Sequence, residues 1–310
     1  MKKTKTQSVR KALGSGTGLV GVIGIIIMLV FVFIGPFLLK LFGGVERGLA
    51  NLPPGFPHLL GTNETGRDVL LNAMIGGRMS LSLAFIVATI TTLFALLIGV
   101  TSAYFGGKVD SFLTVLMNVF LVLPGLPLMV VLAAFLPPGP GSIIFVLSIT
   151  GWAFGARLFR SQALSIRSRE YISASRLAGT KNSRIIWLQM VPNLLSIVAA
   201  FYVNQIVYTI TAEASLEFLG LGDTSMAAWG TSLFWAQNNS ALLLGYWWQF
   251  MVPGFLIAIT ASCLVFINMS IDRTSNPRLV AQETLIKFLG TRAQSASLIT
   301  PVRKEKVRED

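Results

Sequence analysis

Glu213 and Glu217 stand four residues apart inside an apolar run, so on a helix they share one face. Carboxylates in such a run mark a pathway by default, where they meet an ammonium group or gate a mouth. The structural alternative is that they cap the helix end and pair with Arg67 or Arg78. Arg67 with Asp68 likewise fits either an external contact or an internal salt bridge. Asn118, followed by Pro124, Gly125 and Pro127, suggests a kinked helix beside a cavity. Beyond these, the residues that chemistry needs are missing. The single cysteine, Cys263, excludes an intramolecular disulfide. The single histidine, His58, excludes a histidine-rich metal cluster and reads as an ordinary loop residue. There is no His-Glu-x-x-His helix, no activated serine and no Gly-x-x-x-x-Gly-Lys-Ser/Thr loop, so no catalytic and no metal residues are assigned.

The elements that must position these residues follow from composition. Of 310 residues, 53% are hydrophobic and only 12% charged, and the mean hydropathy is +0.70. Soluble domains carry about 25% charged residues, so this is a membrane protein rather than a cytosolic enzyme. Its net charge of +12 sits at the ends of apolar runs, which indicates a membrane-lipid partner and no nucleic acid. About 20 apolar residues cross the hydrocarbon. Stretches free of charge predict six transmembrane helices in an all-α polytopic chain, at roughly 19–42, 81–104, two between 111 and 156, one from 185 toward 221, and one at 247–271. Pro137, Pro138, Gly139, Pro140 and Gly141 break the third from the fourth. Trp229, Trp235, Trp247 and Trp248 read as an outer aromatic belt. An ion channel would need a filter or a ring of pore charges, which the short uncharged loops do not supply.

With the N-terminus inside, 21 of the 25 lysines and arginines fall in inside segments, and only Lys40, Arg47, Arg67 and Arg78 lie outside. Both termini are therefore expected in the cytoplasm. The expected organisation is a cytoplasmic tail at 1–18, the first transmembrane helix at 19–42, an extracytoplasmic segment at 43–80, a five-helix core at 81–272 with a cytoplasmic loop at 157–191, and a cytoplasmic tail at 273–310. In that last tail, Leu279, Leu285, Ile286, Phe288 and Leu289 read as a short interfacial helix or as part of a disordered basic tail. The first apolar run is too long for a signal h-region and reads as a retained anchor.

The cytoplasmic loop is predicted to hold a helix from Glu170 to Ala178, acidic at its start and ended by Gly179 in a left-handed conformation. Tyr171, Ala174, Ser175 and Ala178 share one side, small and mildly apolar. That side fits either a groove of another protein or an anionic lipid surface.

Residues Glu170 to Gly179, with Arg184-Ile185-Ile186 and Val191-Pro192-Asn193 after them, resemble the cytoplasmic signature of bacterial ABC-importer permeases. Ser173 stands where that signature has its name-giving Glu, Ser175 replaces its second Ala, and Gln189 stands where the peptide-importer branch usually has His. His58 to Val69 with Gly76 to Leu81, and Glu213 to Gly222 with Trp229-Gly230 and Pro253-Gly254, resemble the second permease subunit of dipeptide and oligopeptide importers. The likeness covers about residues 19–272, and beyond it Asn276-Pro277-Arg278 stands close to the family's Asp-Pro-Arg. The resemblance implies a type I ABC importer permease (MetI-like) fold in the bacterial inner membrane. It implies a non-catalytic permease subunit of an ATP-driven, binding-protein-dependent importer of di- or oligopeptides, the alternatives being nickel chelates, glutathione or oligosaccharides. The implied partners are a sister permease subunit, two ABC ATPase subunits that bind ATP and Mg, and an extracytoplasmic substrate-binding protein. No cofactor is expected on this chain itself. Glu170, Tyr171, Ala174, Ser175, Leu177 and Gly179 are then the ATPase-coupling residues, and Asn118, Glu213 and Glu217 the pathway or gate.

Overall fold

The computed structural model describes residues 16–41 and 47–275, with backbone alone for residue 40 and residues 272–275. The N-terminal cations, the C-terminal tail and its Asn276-Pro277-Arg278 lie outside the described residues. The described helices are α1 (Gly16–Phe33), α2 (Gly35–Leu41), α3 (Val69–Phe105), α4 (Gly107–Val122), α5 (Gly125–Ala134), α6 (Pro140–Arg167), α7 (Glu170–Leu177), α8 (Asn182–Ile185), α9 (Val191–Phe218), α10 (Trp229–Asn238) and α11 (Trp247–Ser275). The structure is all-helical. Among the described residues, five helices are long and apolar enough to cross a membrane, and α4 with α5, bent by 87°, makes a sixth if counted as one span.

Several boundaries differ from the hydropathy reading for local physical reasons. The first apolar run is interrupted at Ile34, between α1 and α2. There the Arg78 side chain donates from Nε to the Val32 carbonyl (2.9 Å) and from Nη2 to that of Phe33 (2.8 Å). That contact lets a cation sit inside α3, which consequently starts at Val69 rather than near residue 81. Asp68 caps α3, its Oδ1 accepting the Leu71 N–H at 2.9 Å. Pro124 turns the expected kink into a full corner between α4 and α5. Before Pro192, residues Ile186–Met190 widen into a π-helical turn, which accommodates a ring that lacks an N–H within one continuous apolar run from Asn182 to Phe218.

The long helix α3 is the axis of the bundle. It packs along α6 over the greatest length, and also against α9 and α1, while α11 closes the far side against α1 and α9. The α3–α6 seam is lined by small residues, Ala95, Gly99 and Ala103 facing Ala153, Ala156 and Ala163, all of them buried. A Cβ at Gly99 would collide with the Ala156 carbonyl and lie 3.0 Å from the Arg160 nitrogen and Phe159 Cβ, so the two backbones meet only because this side chain is absent. Asp110, in the first turn of α4, fastens a third helix to the seam. It takes Nε and Nη2 of Arg160, each at 2.6 Å, and accepts the Ser102 hydroxyl. Such a bidentate, partly exposed pair fixes the geometry of the two helices.

Replacing Gly99 by Leu is expected to cost about 1–3 kcal/mol and to lower the melting temperature of the detergent-solubilised protein. Gly141→Ala, where an added Cβ meets nothing within 4 Å, should leave it unchanged or raise it. A Gly99→Leu melting curve that overlays wild type would refute the tight seam.

Candidate functional site

Three places carry the residues that the sequence singled out. The first is the end of the bundle beyond α6, where Ser168 stops that helix and Glu170–Leu177 forms α7. Ile172 is its anchor, fully buried in a cluster with Tyr104, Ile166, Ile185 and Met190. The helix ends as its glycine requires. Gly179 has φ +71°, its N–H reaches the Arg176 carbonyl (3.0 Å) and the Thr180 N–H reaches that of Ser175 (3.1 Å), a paired closure that only a residue free of Cβ strain adopts cheaply. Arg176 lies 4.3 Å over the Tyr104 ring and donates to the Tyr104 carbonyl at 3.1 Å. The Tyr104 hydroxyl donates in turn to Asn182 at 2.7 Å, and Arg167 to the Ala103 carbonyl at 3.0 Å. The Arg176 contacts fix α7 to the C-terminal end of α3, where the others join α6 and α8, and they leave the other side of α7 open. Glu170, Tyr171, Ala174 and Ala178 are exposed and Leu177 is 90% exposed. The expected shared side is thus modified: Ser175 is half-buried, and Leu177 supplies the apolar projection.

The second place is a cavity of about 680 Å³ bounded by the α4–α5 corner, α6 and α9. Its walls are apolar at Phe120, Phe154 and Phe201, with polar groups from Thr150, Gln162, Ser196, Asn204, Gln205 and Tyr208. Gln205 is buried beside Gly151, and its Nε2 has no hydrogen-bond acceptor among the described residues. Asn118 stands apart from this lining. It accepts a hydrogen bond from Arg157 on the exposed side of α4.

The third place holds the two glutamates, near the end of α9. Both are buried, Glu213 completely, but the pairing with Arg67 or Arg78 is absent. Arg78 is taken by the carbonyls of α1. Glu217 instead reaches across to the N-terminus of α10, where its Oε2 accepts the Thr231 N–H at 3.2 Å and faces that of Gly230. The N-cap residue there is Ala228, which has no side-chain oxygen, so Glu217 supplies from another helix the negative group that an N-terminus favours. Gly230 is needed for this approach, since a Cβ would lie 2.7 Å from Glu217 Oε2 and 2.8 Å from Ala214 Cα.

The loop before α3 corrects two further expectations. Asp68 pairs with His58 at 2.9 Å, not with Arg67, and His58 is 4% exposed, a buried structural residue. Trp229 and Trp248 are core residues rather than belt residues. Trp229 Nε1 donates to the Ala73 carbonyl (2.9 Å) and Trp248 Nε1 to that of Thr62 (3.1 Å), whereas Trp235 and Trp247 are exposed. Sequence reasoning missed Gln205 and the Asp110–Arg160 pair because the residues they lie against, Gly151 for Gln205, are tens of residues away and no local spacing announces them. Among the described residues no cluster of three or more metal-ligating side chains occurs.

Comparison with known proteins agrees with this architecture. Residues 92–281 match the family described as binding-protein-dependent transport system inner membrane component. The chain is 33% identical to the dipeptide transport system permease protein DppC of Bacillus subtilis (strain 168) over 262 residues, covering 84% of this chain and 81% of that protein. It is 30% identical to the oligopeptide transport system permease protein OppC of the same organism over 267 residues, covering 84% and 85%. The chain therefore belongs to the binding-protein-dependent transport system inner membrane components, as a non-catalytic permease subunit.

Proposed function

We propose that this chain is one of two permease subunits of an ATP-driven importer of di- or oligopeptides, and that α7 is the element through which separate ATPase subunits drive it. The observation that carries this reading is the exposed side of α7. Leu177 projects at 90% exposure beside Ala174 and Ala178, while Ile172 and Arg176 lock the opposite side to α3. An apolar knob on a helix that is rigidly held from behind suits a cleft in a partner protein. A surface lying on lipid would gain nothing from so firm a back face. Seven cations between Arg157 and Arg184 support a cytoplasmic position for this end, and with it for both termini. The opposite end, with Trp229 and the 47–68 loop, then faces outward, where a substrate-binding protein delivers its load.

The 680 Å³ cavity is this subunit's share of the pathway, completed by a sister permease. Its mixture of aromatic walls and side-chain amides suits the alternation of apolar side chains and peptide groups in a short peptide. The same lining accommodates glutathione, an oligosaccharide or a metal chelate, since no fixed charge in it selects among them. ATP and Mg belong to the ATPase subunits, and the chain needs no cofactor of its own. Glu217 holds α10 in register as a positioning residue at the outer mouth, with Glu213 packed beneath it.

Affinity purification of the tagged chain from detergent-solubilised native membranes should recover a sister permease and ABC ATPases. Leu177→Asp and Gly179→Pro should each reduce ATPase recovery by about tenfold or more while keeping the sister permease, a loss matched to a single well-packed anchor. Wild-type recovery of neither partner, with other membrane complexes intact, would sink the importer reading. Ala200→Trp, which fills the cavity without touching α7, should cut peptide uptake in reconstituted vesicles by about tenfold or more with the ATPases still bound. Uptake at the wild-type rate would remove the cavity from the pathway.

A further inference from the structure

At the Trp229 end, the 47–68 loop and the stretch from Thr224 to Pro253 enclose a polar cavity of about 400 Å³. Arg47 and Arg67 stand on its rim. The two are antiparallel partners across an isolated backbone bridge, which sets their Cα atoms roughly 5 Å apart. Both are exposed, and both also border a second cavity of about 340 Å³. Among the described residues neither guanidinium has a carboxylate partner. Asp68, which lines the second cavity, is taken by His58 and the Leu71 N–H. Glu64 lines the first cavity without bonding either arginine.

Like charges directly opposite each other disfavour a strand pair, and here backbone bonds hold the two residues side by side. Gly48 N–H donates to the Gly66 carbonyl (2.8 Å), Asn63 N–H to that of Arg67 (2.9 Å), and Arg67 N–H to Asn63 Oδ1 (2.8 Å). Trp248 Nε1 and Gln249 Nε2 both donate to the Thr62 carbonyl at 3.1 Å, which ties the loop to α11. The two side chains therefore start from neighbouring points on one rim, from which both guanidinium forks can reach a single anion through charge-assisted hydrogen bonds. Asn239 also lines the cavity, and its buried Nδ2 has no acceptor among the described residues.

We infer that this cavity receives an acidic side chain projecting from the substrate-binding protein, its carboxylate held between Arg47 and Arg67. The inference rests on the proposed orientation, in which this end faces outward. Its volume suits one projecting side chain with its loop, and the open arginine rim suits a macromolecular surface that must also let go. Charges at such a rim act chiefly on encounter rate and salt dependence.

The test uses the complete transporter, reconstituted in vesicles, with its purified binding protein titrated at low and at high salt while ATP hydrolysis and uptake are followed. The Arg47→Glu, Arg67→Glu double variant should raise the half-saturating concentration of binding protein by about tenfold or more at low salt, keep the maximal rate within about twofold, and flatten the salt dependence. Arg47→Lys with Arg67→Lys should recover part of the loss. Glu64→Gln, by removing the one carboxylate that lines the cavity among the described residues, should lower the half-saturating concentration, a change of sign that a merely structural role does not produce. Half-saturation and salt dependence equal to wild type in an assembled double variant would overturn the inference. So would binding of dialanine to the transporter without binding protein, abolished in the double variant, since the cavity would then be a substrate site. A wild-type complex indifferent to binding protein would overturn the importer reading itself and this inference with it.

Discussion

The approach of α3 to α6 at Gly99 is the constraint on which the other positions depend. In a hydrocarbon environment helices gain little by burying apolar surface against one another, so they associate through close packing and internal hydrogen bonds. The alanine and glycine seam lets the two backbones touch, and that contact determines where the chain emerges from each helix. The C-terminal residues of α3, Ala103 and Tyr104, receive Arg167 from the end of α6 and Arg176 from α7, and Tyr104 reaches on to Asn182 of α8. Had the seam been wider by a side chain, none of these bonds would close. The orientation of α7 is thus a consequence of packing made in the middle of the bundle.

The charged groups within the bundle are disposed by the same economy. Arg78 takes two carbonyls freed at the α1–α2 break, Asp110 and Arg160 take each other, and Glu217 takes the N-terminus of α10. Each pairing joins two helices, so the cost of placing a polar group in the bundle is offset by fixing a helix position. Among the described residues, the side-chain amide donors without an acceptor include Gln205 Nε2 in the α6–α9 cavity and Asn239 Nδ2 at the Trp229 end, and buried groups such as the Thr92 hydroxyl and the Glu213 carboxylate also lack a partner.

The spans were legible because hydropathy is a local property: runs without charge of the required length are visible in any window of the sequence. The Gly179 closure was legible for the same reason, since a helix end is written within a few residues. Long-range partners were not. Arg78 looks like a boundary until the carbonyls 45 and 46 residues away are known, which is why the start of α3 was misplaced. His58 and Asp68 are both in view, yet nothing in ten intervening residues shows that the loop folds back to bring them together. The tryptophans mislead in a different way. Enrichment at an interface is an average over proteins, and it does not reveal that an Ala73 carbonyl awaits one indole while lipid awaits another.

One consequence of the long α3 joins the two ends of the molecule. Its 37 residues span about 55 Å at 1.5 Å per residue, from the Asp68 cap to the Tyr104 clamp. Asp68 belongs to the same loop that carries Arg67, and Tyr104 holds α7 through Arg176. A displacement of α7 is resisted at its back face by a cation over an aromatic ring, one backbone carbonyl and a buried isoleucine. The stiffest path available is along α3 itself, because bending a helix interior breaks hydrogen bonds while tilting it only rearranges side chains at its surface. The seam at Gly99 lies between the two ends and obliges α6 to follow any tilt of α3. The start of α4 is tied to α6 and α3 through Asp110, and the cavity lies farther along, between the α4–α5 corner, α6 and α9.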